Sequence, residues 1–230
     1  MHSGSLPRHD VVGPVTRLVE TGSIAAATLL LSADALRLAG AREVRAWWLP
    51  FAALAGVVAA DLASGLVHWI ADSWGRESLP VVGRRLLRPF RVHHVNPDDF
   101  LARDFVDRNG DVALLAIPLL AAAWLTPLSS EGARIAAVLL VAFGAVSLST
   151  NQVHHWAHAP RPPRAVAWLQ RRGWILSRAE HERHHTEPHT TRYCIATGWC
   201  NPALDALGVF RALERLLTAV TRLRPRSDGA

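Results

Sequence analysis

The chain has 230 residues, half of them hydrophobic, and a net charge of +6 whose basic side is 25 arginines and no lysine. That length allows one large domain or two small ones. The arginines lie beside apolar runs rather than in any nucleic-acid-binding motif, so the charge points to an anionic membrane surface and no nucleic-acid partner is expected. Two cysteines, Cys194 and Cys200, make no disulfide framework and lack the C-x-x-C spacing of a zinc site.

Residues 1–20 read as a polar tail with no cleavable signal peptide. Four apolar segments follow, at 23–40, 47–70, 112–128 and 133–150, and a bilayer crossing takes roughly 20 mostly apolar residues. The first is interrupted by Asp34 and Arg37. The second opens on Trp47 and Trp48, which suit an interfacial belt, and its Asp61 is expected to face the interior. The fourth runs without a break into NQVHHWAH (151–158). Buried helices of a soluble bundle are the competing reading, but three near-uninterrupted runs without a polar stripe argue against it. The stretch RALERLLTAVTRL (211–223) puts Leu213, Leu216, Leu217 and Val220 on one helical face, which suits either a basic helix on the membrane surface or packing onto the domain. Residues 225–230 are expected to be a disordered tail, leaving 21–224 as the domain.

The polar segments set the orientation. The loop 71–111 carries Arg76, Arg84, Arg85, Arg88, Arg91, Arg103 and Arg108, and many more arginines follow residue 158. The positive-inside rule makes both regions cytoplasmic and, with four spans, the N-terminus as well. His68 ends the second segment, His93 and His94 lie in the arginine-rich loop, His154, His155 and His158 end the fourth, and His181 to His189 follow. Ten histidines from four separated regions thus converge on one face. The expected architecture is an all-α integral membrane bundle of about four transmembrane helices with a cytoplasmic, histidine-rich di-metal cap.

Residues four apart on a helix share a face. His68 with Asp72, His154 with His158, and His181 with His184 and His185 form such sets, whereas the adjacent His93 and His94 diverge by about 100° and could each serve a different metal. Imidazole-rich sites suit Fe, Zn, Cu or Ni. The available donors are His68, Asp72, His93, His94, His154, His158, His181, His184, His185 and His189. That supply matches a dinuclear site and exceeds the three ligands of a catalytic zinc. A ferritin-like carboxylate site needs Glu-x-x-His on each of two helices, and only Glu182 with His185 fits. HERHH (181–185) also spells the H-E-x-x-H of a zinc protease, with Glu182 as base and Asp205 as a possible third ligand. Its surroundings, ILSRAEHERHHTEPH, are too polar for an intramembrane protease, and the other histidine sets would have no role.

With these residues placed, the chain resembles the plasmanylethanolamine desaturase family, membrane lipid desaturases that also include plant plastid enzymes acting on phosphatidylglycerol acyl chains. The resemblance rests on DLASGLVHWIADSWG (61–75), FRVHHVNPDDF (90–100), RDFVDRNGD (103–111), NQVHHWAH (151–158) and HERHHTEPHTTRYCIATGWCNPALD (181–205). It implies iron ligands at His68, Asp72, His93, His94, His154, His158, His181, His184 and His185, with His189 a ligand or its hydrogen-bond partner. His155 falls where the family tolerates other residues. Arg103 stands where relatives often have His before Asp104, so one metal could be held differently, with Asp104 or a water substituting.

The resemblance further implies two iron ions, O2 as co-substrate, and removal of two hydrogens across the C1–C2 bond of an sn-1 alkyl ether in an ethanolamine phospholipid. An acyl-chain desaturase or hydroxylase on the same metal platform is the alternative. A metal transporter would want its ligands at mid-membrane. No haem, flavin or Fe–S motif is present, so electrons must come from a separate cytochrome b5-, ferredoxin- or reductase-type protein. The arginines at 84–91 and 161–172 could contact lipid phosphate or an acidic donor. The expected location is a bacterial inner membrane. Trp199 and Asn201 recur in the family without an evident physical role.

Overall fold

The computed structural model describes residues 6–41 and 47–226, and these form ten α-helices and no strand. Residues 1–5 and 227–230, within the two expected tails, lie outside the described residues, as do 42–46. Four helices are long and apolar enough to cross a membrane: α1 (Pro14–Gly40), α2 (Leu49–Ser73), α5 (Phe105–Leu125) and α6 (Glu131–His158). They contain most of each expected segment and extend beyond it. α1 starts at Pro14 because proline suits a first helical turn, where its missing N–H has no partner to lose. α2 and α6 run on into HWIADS and NQVHHWAH because nothing in those stretches breaks a helix. The stretch 71–111, expected as a loop, is itself largely helical, with a π-helical turn at Gly83–Leu87, α3 (Arg88–Val95) and α4 (Pro97–Ala102). Beyond α6 come α7 (Arg164–Arg171), α8 (Arg178–His184), α9 (Asn201–Ala206) and α10 (Val209–Thr221).

Contacts divide the chain into two compact units. One comprises Val12–Leu62 and Asp104–Gln152, and the other Met1–Val11, Ala63–Arg103 and Val153–Ala230. In the first, α1 packs along α5 through small residues, with Ala27, Ala113, Ala116 and Leu120 fully buried among Ile24, Leu31 and Ile117. Close approach through small side chains is the usual way apolar helices associate when lipid offers no hydrophobic driving force. Many of the apolar side chains left over point outward; Leu115 is 71 % and Leu125 78 % exposed. Asp61 is fully buried, as expected of a carboxylate within an apolar span.

Asp104 caps α5: its carboxylate accepts the backbone N–H groups of Val106 and Asp107 at 2.9 and 3.0 Å, and the Arg17 guanidinium donates to it at 2.8 and 2.6 Å. Arg17 foremost, and then those N–H groups, pull its pKa from 3.8 to about 2. A group depressed in this way stabilises the fold fully above its unfolded value and loses that contribution as pH falls through its folded one. Asp104→Ala should therefore lower stability in detergent by about 1 kcal/mol at neutral pH. In denaturation of the metal-free protein, the gap between variant and wild type should close between pH 3.8 and about 2.

The second unit has two small cores. Val153, Ala157, Leu176 and Ile195 form one, and Trp69, Tyr193 and Phe210 the other. α10 joins the latter through Leu213 and Leu217 and leaves Leu216 and Val220 exposed, so the face expected to be single is divided. Residues 7–10 are hydrogen-bonded in this unit: His9 bonds Asp99 through its backbone N–H and its ring, and the Pro7 carbonyl accepts from Asn96.

Candidate metal centre

Four stretches carry the histidines, and all belong to the second unit. The last turns of α2 and α6 supply His68 with Asp72 and His154 with His158. α3 supplies His93 and His94, and α8 with the residue that caps its end supplies His181, His184 and His185. Their donor atoms form two groups. His93, His154, His158, His181 and His185 make one, and His68, Asp72, His94 and His184 the other, with the atoms of each group within 4.8 Å of one another. The 100° divergence of His93 and His94 sends them to different groups. α8 does the same, because His181 and His185 share the first group while His184 turns to the second. The groups are neighbours: the His93 and His94 ring centroids are 4.4 Å apart, and those of His94 and His185 4.6 Å.

Backbone carbonyls decide which way the rings face. The Nδ1–H of His68 donates to the Tyr193 carbonyl at 3.0 Å, that of His184 to Thr191 at 2.7 Å, and that of His93 to Phe90. A carbonyl can only accept, so the proton lies on Nδ1 and the Nε2 lone pair points into the group. Burial pushes the pKa of His93 and His181 well below 6.5, with neighbouring imidazoles adding to it. Burial lowers His94 as well, against the pull of Asp72, and lowers His185 strongly. These rings are neutral at physiological pH, the form in which imidazole binds a metal.

Hydrogen bonding alone does not satisfy this arrangement. The Nε2 atoms of His154, His158 and His181 stand 2.8, 2.8 and 3.2 Å apart in a triangle. Each edge would need one protonated and one bare nitrogen, and three atoms cannot alternate around a ring. His185 Nε2 adds a further contact to His181 Nε2 at 3.1 Å, and His93 Nε2 is buried with no hydrogen-bond partner. A cation between them accepts every lone pair at once. Nitrogens bound about 2.1 Å from one ion at right angles lie about 3.0 Å apart, close to the spacings seen. In the second group, Asp72 Oδ2 lies 3.2, 3.3 and 3.4 Å from Nε2 of His68, His94 and His184. One carboxylate among three imidazoles is likewise a donor set for a divalent metal. The residues present fit a metal ion in each group.

His189 lies outside both groups; its Nδ1–H donates to the His184 carbonyl at 3.1 Å, and its ring centroid is 4.9 Å from that of His94. His155 also lies outside them. Asp104, weighed as a substitute ligand, is committed to the α5 cap. Glu182 is mostly exposed and paired with Arg178 at 2.6 Å, and Asp205 is paired with Arg192 at 3.0 Å. Both are thus engaged elsewhere than the protease reading requires.

Several residues that support the site escaped the sequence reading. The segment 193–195 runs along α2: the Ile195 N–H donates to Ser64 Oγ at 3.0 Å, and Cys194 rests on Gly65, where a Cβ would stand 2.5 Å from its sulfur. Asn201 closes the other side, accepting the Cys194 N–H at 2.8 Å and donating to its carbonyl at 2.9 Å, which gives that side chain its role. Burial also holds the Tyr193 phenol well above its ordinary pKa of 10.0. Arg91, 5 % exposed, donates to the Ala71, Trp74 and Gly75 carbonyls at 3.0, 2.6 and 3.2 Å. It ties the α2 terminus that carries Asp72 to the helix that carries His93 and His94. Nothing in the sequence separates Arg91 from its many neighbours of the same type.

The sequence comparisons agree with this geometry. Residues 57–228 match the lipid desaturase domain. The chain belongs to the lipid desaturase family. A plasmanylethanolamine desaturase of Myxococcus xanthus is 40 % identical over 215 residues, covering 94 % of this chain and 76 % of the relative. Plasmanylethanolamine desaturase 1 of Mus musculus is 40 % identical over 181 residues, covering 76 % and 67 %. The chloroplastic fatty acid desaturase 4 of Arabidopsis thaliana is 36 % identical over 180 residues, covering 76 % and 54 %. No solved structure matches. The protein is a multi-pass membrane lipid desaturase with a histidine-rich metal-binding cluster.

Because Arg91 anchors the end of α2, Arg91→Gln should weaken metal binding by the desaturase roughly ten-fold, as loss of an outer hydrogen bond to a metal site commonly does. Chelator competition against an Arg84→Gln control, whose side chain is 67 % exposed, measures this.

Proposed function

We propose that this lipid desaturase holds two iron ions and uses O2 with two electrons to form the C1–C2 vinyl-ether bond of an sn-1 alkyl ether phospholipid, converting plasmanylethanolamine to plasmenylethanolamine. The observation that carries the reading is the division of the donors into two adjacent groups, one of five imidazoles and one of three imidazoles and a carboxylate. Two groups are what a dinuclear centre needs. The names of the relatives at 40 % identity support this substrate. The plant fatty acid desaturase at 36 % supports a second reading, desaturation of a phospholipid acyl chain on the same centre.

His93, His154, His158, His181 and His185 would hold one iron, and His68, Asp72, His94 and His184 the other. His189 would position His94 or complete that second set. When bound, reduced iron with O2 supplies an oxidant strong enough for unactivated C–H bonds. The substrate gives up one hydrogen from each of two adjacent carbons, and O2, two electrons and two protons leave with them as two waters. The chain's own contribution is to keep His93, His94, His181 and His185 neutral by burial and to aim His68, His184 and His93 through the Tyr193, Thr191 and Phe90 carbonyls. Asp72 brings a negative charge that offsets the charge of its metal. Electrons would come from a separate carrier protein of cytochrome b5, ferredoxin or reductase type. The arginine distribution supports a cytoplasmic histidine-rich face in a bacterial inner membrane.

Elemental analysis of the purified protein from iron-replete cells should give about two irons per chain. His181→Ala and His184→Ala should each lose about one of them, since each removes a donor from a different group. A single zinc per chain would overturn the dinuclear reading. Lipid mass spectrometry of cells supplied with an sn-1 alkyl ether lipid should show vinyl-ether product with the wild type and none with His181→Ala. A new acyl double bond with no vinyl ether would favour the second reading instead.

A further inference from the structure

Three tryptophans of the second unit stay in the open. Trp168, Trp174 and Trp199 are 42 %, 56 % and 43 % exposed, although each indole is large and mostly apolar. They are held together. The Trp168 and Trp174 rings meet edge to face with centroids 5.3 Å apart, and the Trp199 indole N–H donates to the Gly173 carbonyl at 2.6 Å. Gly173, at φ +67°, ends α7, and the Trp174 N–H returns to the Leu169 carbonyl at 3.1 Å. This closed helix terminus sets Trp174 beside Trp168. Behind them, Val166 and Leu176 are buried, and Gln170 donates to the Trp156 and Leu176 carbonyls. The face is rigidly built and contributes nothing to the metal groups.

The stretch that carries Trp168 and Trp174 is basic. From 159 to 177 the chain has Arg161, Arg164, Arg171 and Arg172 and no acidic residue, and Arg178 just beyond pairs with Glu182. Arg172 lies over the Trp168 ring at 5.6 Å, and Arg161, Arg164 and Arg171 are exposed. The position is constrained too. α7 begins six residues after His158, the last residue of the apolar helix α6, and six residues reach at most about 20 Å. Pro160, Pro162 and Pro163 stiffen that link.

We propose that Trp168, Trp174 and Trp199, with the arginines of 161–172, form a seat on the anionic phospholipid headgroups of the bilayer that the chain spans. Indoles favour the membrane interface, where their apolar body and polar N–H meet both environments, and basic residues beside them attract anionic lipid. Tryptophan and arginine also anchor protein partners. An acidic protein surface would also complement this charge, but the short tether to an apolar helix holds the face within about 20 Å of the end of α6.

The test uses the full-length protein carrying fluorotryptophan, reconstituted in lipid nanodiscs and followed by fluorine NMR. The nine tryptophan signals are assigned for this face by Trp168→Phe, Trp174→Phe and Trp199→Phe, and the unchanged remaining signals show that each variant is folded. In discs containing phosphatidylglycerol, a lipid spin label near the headgroup should erase the three signals, while a water-soluble gadolinium chelate spares them. In purely phosphatidylcholine discs the loss should be weaker. Equal loss in both discs would overturn the role given to the arginines. Signals erased by the chelate and spared by the lipid label would overturn the proposal and leave the face to a protein partner.

Discussion

A neutral imidazole carries one proton on two nitrogens, and in this protein backbone carbonyls claim that proton on His68, His93 and His184. The consequence is that their bare Nε2 atoms are aimed into the two groups of donors. In the first group the Nε2 atoms of His154, His158 and His181 form a triangle that no alternation of donor and acceptor can satisfy. The surrounding unit is the apparatus that keeps these rings buried and aimed.

That apparatus is mostly backbone. The segment 193–195 lies on α2 because Gly65 lets it approach, Ser64 receives its N–H, and Asn201 ties both polar groups of Cys194. Its neighbour Tyr193 offers His68 a carbonyl. Arg91 fastens the carbonyls at the end of α2 and so fixes Asp72 relative to His93 and His94. A buried guanidinium is stable there because helix ends expose carbonyls that need donors. Each support is a side chain spent on main-chain groups, leaving the imidazoles themselves for the site.

The same economy explains the division of the donors. Two groups could have been drawn from separate helices, yet α3 and α8 each serve both. Adjacent residues on a helix point about 100° apart, so His93 and His94, like His184 and His185, straddle the boundary between the groups. A shift of either helix would disturb both groups together. This couples the two groups mechanically.

The sequence by itself determined the all-α class and the membrane-capable helices, and it marked out the histidines and Asp72 that the fold gathers into two groups. Those signals are local, carried by unbroken apolar runs and by helical spacing, as in HWIAD and HHWAH. It also indicated that His93 and His94 would part, since that depends only on the angle between successive helical residues. Tertiary structure alone decided the grouping of His181 with His185 and of His184 with Asp72, because α8 ends within that run and its rotation is set by packing. It also separated Asp104 and Glu182 from the metal donors through their bonds to Arg17 and Arg178. Arg91, Gly65 and Asn201 were beyond the sequence for the same reason. Their partners are backbone groups that folding brings near from elsewhere in the chain, and a backbone group leaves no mark in a sequence.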